Sequence, residues 1–318
     1  MKLILDLDTG IDDALALTYA LAKKQDIVGI TTIFGNVKTI DATKNTLSLL
    51  EFFNSNIPVY MGETRPLNKE EDFVPKELMH KIHGQNGLAN IDLPINDKKC
   101  EKICAADFII DAANKYNKDL CLICTSPLTN LAKAYLKNKE AIKKIGKIVL
   151  MSGALTVEGN CSKYSEANVY KDIDAAKLIY ESGLKLIVVG LDVTMKTIIK
   201  EEDYKILDNP KSKVIYKLLD YYCHNELDKD YAALHDPLAV GIALNNDLIL
   251  NSLDINLTVE ENGRLIGSLN KINEENKTSK FVLEVDSKKF IDDFIKQIFD
   301  FLKWKKENTK EKKEIYFH

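Results

Sequence analysis

The stretch Lys2-Leu3-Ile4-Leu5-Asp6-Leu7-Asp8-Thr9-Gly10-Ile11-Asp12-Asp13-Ala14-Leu15-Ala16-Leu17 sets the reading of the whole chain. Residues 2–8 form a short apolar run of strand length, and residues 12–24 carry helical periodicity. Gly10 permits a tight turn between them, and Asp12 or Asp13 can cap the helix. Strand, glycine turn and helix in this order open a βα unit. Outward from it the alternation continues: strands over 27–34, 57–61, 120–125, 147–151 and 184–193, helices over 39–53, 103–116, 128–136 and 173–182. This pattern predicts an α/β fold with right-handed crossovers and a mainly parallel, Rossmann-like sheet flanked by helices.

Residues 63–97 interrupt the pattern with Pro66, Pro75, Pro94, Gly84 and Gly87, and read as a long irregular insertion of the kind that more often serves function than not. Further on, helices are expected over 212–226 and 237–244. A small antiparallel extension is expected from 255–259, 266–270 and 281–285, then a closing helix over 290–302 and a charged tail over 303–318. Repeats and linkers are lacking, so residues 1–318 read as a single domain.

Composition narrows the function classes. The 318 residues carry 44 Lys+Arg and 48 Asp+Glu, a net charge of −4, and 45% of them are hydrophobic. Such a chain buries a sizeable core, which excludes disordered and fibrous classes. A slightly acidic chain whose only arginines are Arg65 and Arg264 lacks the basic face of a nucleic-acid binder. No run approaches the ~18 apolar residues of a membrane helix, and Asp6 and Asp8 cut short any signal-peptide core, so a cytoplasmic protein is expected. The six cysteines are too few for a disulfide scaffold in a chain this long. Cys121-Leu122-Ile123-Cys124 has redox-motif spacing, but within an apolar run it reads first as two small core residues.

The chemistry lies in the opening acidic cluster. Along a strand Asp6 and Asp8 share one face, and the carboxyl end of a first strand is where open α/β sheets bind ligands. Caps and turns account for one or two of the carboxylates Asp6, Asp8, Asp12 and Asp13, not for all. Like charges so close repel unless a cation or a shared proton sits among them, and a hard divalent cation is the economical answer. An EF-hand fails, because Gly10 and Leu17 stand where its loop needs oxygen ligands. A haloacid dehalogenase-type phosphatase opens with a similar pair of Asp, and Cys124-Thr125-Ser126 could pass for its second motif. It stays open as the alternative, beside a nucleoside-binding protein without catalysis.

The segment D-x-D-x-G-x-D-D-A resembles the inosine-uridine-preferring nucleoside hydrolase family. Similar to that family, and in its order, are Gly35-Asn36-Val37, His83-Gly84-Gln85-Asn86-Gly87-Leu88 and Thr125-Ser126-Pro127-Leu128-Thr129-Asn130. Leu150-Met151-Ser152-Gly153, Gly159-Asn160, Glu166-Ala167-Asn168, Leu191-Asp192-Val193-Thr194, Leu234-His235-Asp236-Pro237 and Val285-Asp286 follow.

The resemblance implies cleavage of ribonucleosides into base and ribose, with Ca²⁺ held by Asp8, both oxygens of Asp13, the backbone carbonyl of Thr125, and Asp236. It implies Asp8 as general base, and Asp12, Asn36, Met151, Asn160, Glu166, Asn168 and His83 at the substrate. Asp6 orients its neighbours without touching the metal. Glu166 and Asn168, two apart on an extended segment, would share a face. His235 next to Asp236 fits a proton donor to the leaving base, though a lone His at a helix start can equally be packing. Tyr222, His224 and Tyr231 fall in a stretch that would cover the base. Ala167 replaces an aromatic residue and Ser152 a glycine, which bears on substrate preference. A homo-oligomer, dimer or tetramer, is implied as well.

Overall fold

The computed structural model describes residues 1–93, 99–210, 212–225, 230–272 and 277–314, with side chains described as far as residue 303. Its first strand, β1 (Lys2–Leu7), is apolar and buried on both faces, and it sits inside the sheet between two neighbours. From there the chain winds outward through α1 (Ile11–Ala22), β2 (Asp26–Thr32), α2 (Thr39–Phe52) and β3 (Val59–Met61). It crosses the insertion by α3 (Glu77–His83) and α4 (Ala105–Tyr116) and returns to the other side of β1 as β4 (Leu120–Cys124). Then come α5 (Thr129–Lys137), α6 (Lys139–Ile142), β5 (Lys147–Met151), α7 (Ala167–Lys171), α8 (Ile173–Tyr180), β6 (Leu186–Val189) and α9 (Leu191–Thr194).

The remainder comprises β7 (Ile198–Lys200), α10 (Glu201–Tyr204), α11 (Lys213–Asn225), β8 (Tyr231–Ala233), α12 (His235–Leu244), β9 (Ile249–Val259), β10 (Leu269–Ile272), β11 (Ser279–Val285) and α13 (Ser287–Glu314). Among the described residues nine strands form one sheet in the order β10-β9-β11-β6-β5-β4-β1-β2-β3, parallel from β11 to β3, with β9 antiparallel to both its neighbours. Two apolar clusters, one on each face, hold the helices against it. This is the mainly parallel α/β sheet with a small antiparallel extension that the sequence predicts.

The order β3-β2-β1-β4-β5-β6 reverses direction at β1. The chain leaves β1 toward β2 on one side and later fills the other side with β4, so the loops after β1 and β4 diverge. The crevice that opens there is the ligand position of doubly wound sheets. In register, Asp6 of β1 stands beside Cys124 of β4, which brings Asp8 and Thr125 to the two lips of this crevice.

Several expectations need correction. The strand expected over 184–193 stops at Val189; Gly190 then starts the single turn of α9, whose first-turn Asp192 accepts from the N–H of Leu155 and of Thr156 at 2.9 and 2.8 Å. A short apolar run does not reveal whether it is strand or helix turn, and here the Asp decides. The insertion holds α3, and α12 begins at His235, two residues before the expected start. The strand expected over 266–270 lies at Leu269–Ile272, and the antiparallel strands join the main sheet through β11. Antiparallel partners β7 and β8, only three residues each, were not anticipated. Of the stretch 303–318, the part up to Glu314 continues α13.

Cys121 and Cys124 are buried in β4, where burial pushes the Cys121 thiol up to about 12 and the Cys124 thiol well above its ordinary value. The two side chains fall in separate apolar clusters, Cys121 in one and Cys124 in the other, as small core residues.

Candidate active site

Asp8 follows β1 directly and is fully buried. Its Oδ2 accepts from the N–H of Asn36 at 2.8 Å and its Oδ1 from Asn36 Nδ2 at 3.0 Å. Asn36 Nδ2 also reaches Asp13 Oδ2 at 3.2 Å, so one amide ties two carboxylates together. That close approach requires Gly35: a Cβ there would lie 1.8 Å from Asp8 Oδ2.

Asp13, in the first turn of α1, is held from the other side by the Thr125 hydroxyl at 2.9 Å and reaches back to the N–H of Gly10 at 3.1 Å. Gly10 itself has an extended backbone, φ −95° and ψ −161°. Space rather than turn geometry demands glycine here, since a Cβ would meet His83 Nδ1 at 2.7 Å.

Asp236, in the first turn of α12, completes the cluster; its backbone N–H donates to Asp12 Oδ2 at 2.8 Å. Burial, then the neighbouring carboxylates, push the carboxyls of Asp13 and Asp236 well above the usual carboxylate range. Such a shift marks negative charge with too little positive charge beside it. Asp6 is held by its neighbours on β2 and α5 instead. Thr31 Oγ1 at 2.5 Å and Asn130 Nδ2 at 2.8 Å bind its Oδ1, and burial raises its carboxyl to about 6 against their pull. Ser126 Oγ donates to its carbonyl at 3.1 Å, so Asp6 fixes the seam rather than the crevice.

The donors Asp8, Asp13, Asp236 and the Thr125 carbonyl are all oxygens, a set suited in chemistry to a hard divalent ion. As placed, no three His, Cys, Asp or Glu side chains among the described residues surround one ion position. A side chain that sequence reasoning missed stands in their midst. Lys171 Nζ lies 3.1 Å from Asp8 Oδ2 and 3.2 Å from Asn36 Oδ1, and both ion-pair side chains are shut off from water, 4% and 0% exposed.

Its position follows from a local correction. Residues 166–168 are not extended: Glu166 is the N-cap of α7 and takes the N–H groups of Asn168 and Val169 at 2.7 and 3.1 Å. A third donor, the N–H of Gly153, binds it at 2.9 Å. Lys171 then falls three residues after Asn168, on the same helix face. A capping reading of Glu166 before a helical turn was the signal that could have revealed it.

Asn168 Nδ2 donates to the carbonyls of Thr125 and Met151, both at 3.1 Å, which joins α7 to the ends of β4 and β5. Asn160, exposed, accepts from the N–H of Ala167 at 2.9 Å and sits at the outer edge of the group. On the opposite wall His83 Nδ1 accepts from the N–H of Ile11 at 3.1 Å, and its ring stacks on Tyr222 with centroids 6.1 Å apart. His235 Nδ1 is 2.7 Å from the Thr194 hydroxyl. His224 is exposed, with its Nδ1 2.8 Å from the Asp220 carbonyl, and Tyr231 is half-buried in β8. The intervening residues 226–229 lie outside the described residues.

Comparison with known proteins places the fold in a family. Residues 3–292 match the family model of the inosine-uridine preferring nucleoside hydrolases. The chain is 34% identical to uridine nucleosidase 1 of Arabidopsis thaliana over 84% of its length and 80% of that protein's. It is 30% identical to the pyrimidine-specific ribonucleoside hydrolase RihA of Escherichia coli over 92% and 96%. Among solved structures, a purine-preferring ribonucleoside hydrolase from Gardnerella vaginalis superposes with a TM-score of 0.91 at 36% identity, covering 95% of this chain and 99% of that one.

The family match and the superposed fold make it a hydrolase of N-glycosyl bonds. The chain belongs to the inosine-uridine preferring nucleoside hydrolase family, and its substrates are ribonucleosides. Neither the phosphatase alternative nor the reading as a binding protein without catalysis survives this assignment.

Proposed function

We propose that the protein hydrolyses ribonucleosides to free base and ribose with Ca²⁺ held by Asp8, Asp13, Asp236 and the carbonyl of Thr125. The observation that carries this reading is the gathering of three buried carboxylates, from the ends of β1, α1 and α12, at the point where the sheet reverses its order. Asp13 and Asp236 hold protons more tightly than carboxylates ordinarily do, which is the mark of a site built for added positive charge. The family is generally metal-dependent, and calcium is the hard ion that best tolerates a bidentate carboxylate.

When bound, the ion supplies the charge that orients the attacking water and makes it more acidic. Asp8 takes the proton from that water as general base. Asp12 accepts from the 2′-hydroxyl. Asn168, its amide nitrogen already committed to two carbonyls, offers its oxygen to the 3′-hydroxyl. Met151 lines the ribose, Asn160 and Glu166 secure its 5′ end, and Asn36 holds Asp8 against the sugar. On the far wall His83 and Tyr222 face the base, and His235 delivers a proton to the departing nitrogen. Cleavage passes through an oxocarbenium-like ribosyl group, so these contacts count most once the sugar has become planar and positive.

The cytoplasm is proposed as the working place, since six cysteines are too few for a disulfide scaffold in a chain this long. No helix among the described residues is long and apolar enough to cross a membrane. A homodimer or homotetramer is proposed on the family resemblance alone, and sedimentation velocity tests it. The relatives named above divide between purine and pyrimidine substrates, so release of reducing sugar across a nucleoside panel is the decisive assay. Ribose from at least one of inosine and uridine is expected, with calcium required. No ribose from any nucleoside would overturn the proposal.

A further inference from the structure

An ammonium taken out of water is costly unless it is paired and hydrogen-bonded, so a lysine buried to 4% exposure is present for the charge it meets. Lys171 meets Asp8 and the side-chain oxygen of Asn36, the two groups that organise the inner end of the crevice. It is delivered there by rigid parts. The N-cap Glu166 is bound by three backbone N–H groups, and Asn168 fixes the same turn to the ends of β4 and β5. Only the lysine stem, with its four rotatable bonds, is free to rearrange.

We propose that Lys171 is a tethered cation of the metal-free site: it neutralises Asp8 while no divalent ion is bound and must give up that contact when one enters. The inference rests on reading the carboxylate cluster as a divalent-cation site. The geometry carries it: Nζ stands 3.1 Å from Oδ2 of Asp8, a proposed ligand of that ion, and both side chains are shut off from water.

The consequence is a site that keeps its shape without metal and binds metal less tightly than its carboxylates alone would allow. A divalent ion brings charge into a site already part-neutralised, so its gain is the difference between two cations rather than the full attraction of one. The lysine thereby sets the calcium range over which the enzyme is loaded.

The test compares wild type with Lys171→Met, which keeps the stem and removes the charge, and with Lys171→Gln as a polar second variant. Ca²⁺ binding is measured by isothermal titration calorimetry and thermal unfolding is followed with and without the ion, neither of which depends on turnover. The expected result is at least tenfold tighter Ca²⁺ binding in both variants, together with a lower melting temperature of the metal-free form and a larger rise on adding Ca²⁺. Adding Asp8→Asn to Lys171→Met should restore part of the lost metal-free stability, because the unpaired charge is gone.

Unchanged affinity and an unchanged calcium-induced rise would overturn the proposal. Weaker binding in the variants would overturn it too, since Lys171 would then belong to the loaded site. If wild type and both variants all fail to bind Ca²⁺, the metal-site reading itself falls, a different outcome from a wild type that binds and variants that bind alike. Should Lys171→Met not fold, Lys171→Gln carries the same comparison.

Discussion

The backbone N–H of Ile11 donates to Nδ1 of His83 at 3.1 Å, so the first turn of α1 holds a ring that lies 72 residues further along the chain. With Nδ1 as acceptor, the neutral ring carries its proton on Nε2, the nitrogen left for a substrate. Protonating Nδ1 would break this bond inside a buried pocket. Burial, then the charges of Lys171 and His235, hold the ring down to about 3. In the unfolded chain the same ring titrates near 6.5.

A folded value below the unfolded one fixes the sign. Neutral His83 contributes stability that is fully present above about pH 6.5 and is lost as the pH falls toward 3, at about 1.4 kcal/mol per pH unit for one such group. His83→Gln, whose side-chain oxygen can still accept from Ile11, should flatten the acid limb of stability against pH by about one proton's worth. Urea unfolding between pH 4 and 7 measures it. Parallel limbs for the two proteins would show that His83 does not carry this dependence.

Gly35 gives a steric prediction. A Cβ at this position would lie 1.8 Å from Asp8 Oδ2 and 2.7 Å from its Cγ, so Gly35→Ala must move the carboxylate. Displacing a reacting group by about 1 Å can cost a hundredfold in rate. Gly35→Ala is therefore expected to lower kcat/KM by about two orders of magnitude. Steady-state kinetics beside a melting curve decides between that and simple unfolding. A folded variant with normal turnover would show that Asp8 does not need its observed place.

Asp8→Asn tests the base directly. It keeps the size of the side chain and one oxygen toward the ion but cannot take a proton. Turnover should fall by about two to four orders of magnitude while binding of ribose-like inhibitors weakens much less. Near-normal turnover would move the base elsewhere.

Much of this site was legible in the sequence because its residues sit where strands end. Asp8 after β1 and Thr125 after β4 are read from the apolar runs that precede them, and the alternation of such runs with helical periodicity predicts a parallel sheet. Asp236 and His235 could be matched to a family motif and set at a helix start, but β8, which leads into them, is too short to leave a period. Lys171 could not be read at all under an extended reading of residues 166–168, since its approach to Asp8 depends on the helical turn that Glu166 caps. Gly10 was read correctly as important and for the wrong reason: its backbone is extended, and the constraint is the His83 ring pressed against it.

Calcium should act on stability as well as on rate. Any ligand that binds only the folded state stabilises it, by about 2.7 kcal/mol at a hundred times its Kd. Protein shown to be metal-free by elemental analysis should therefore melt higher when Ca²⁺ is added at such an excess, and turnover should appear with the same concentration dependence. The same melting temperature with and without the ion would mean that these carboxylates are neutralised by other means.

His235 is expected to discriminate between leaving groups. Its Nδ1 is engaged by the Thr194 hydroxyl at 2.7 Å, which fixes the ring, and the acid role asks Nε2 to face the base. A purine departs best when its imidazole nitrogen is protonated as the bond breaks, whereas nitrophenolate leaves without a proton. If His235 is the acid, His235→Ala should cost about two orders of magnitude on inosine and little on a nitrophenyl riboside. Thr194→Val, which keeps the shape of the side chain but frees the ring, should reproduce the same selectivity with a smaller loss, about tenfold. Equal losses on both substrates would mean that His235 instead positions its neighbour Asp236, and proton delivery would then have to come from the wall formed by His83 and Tyr222.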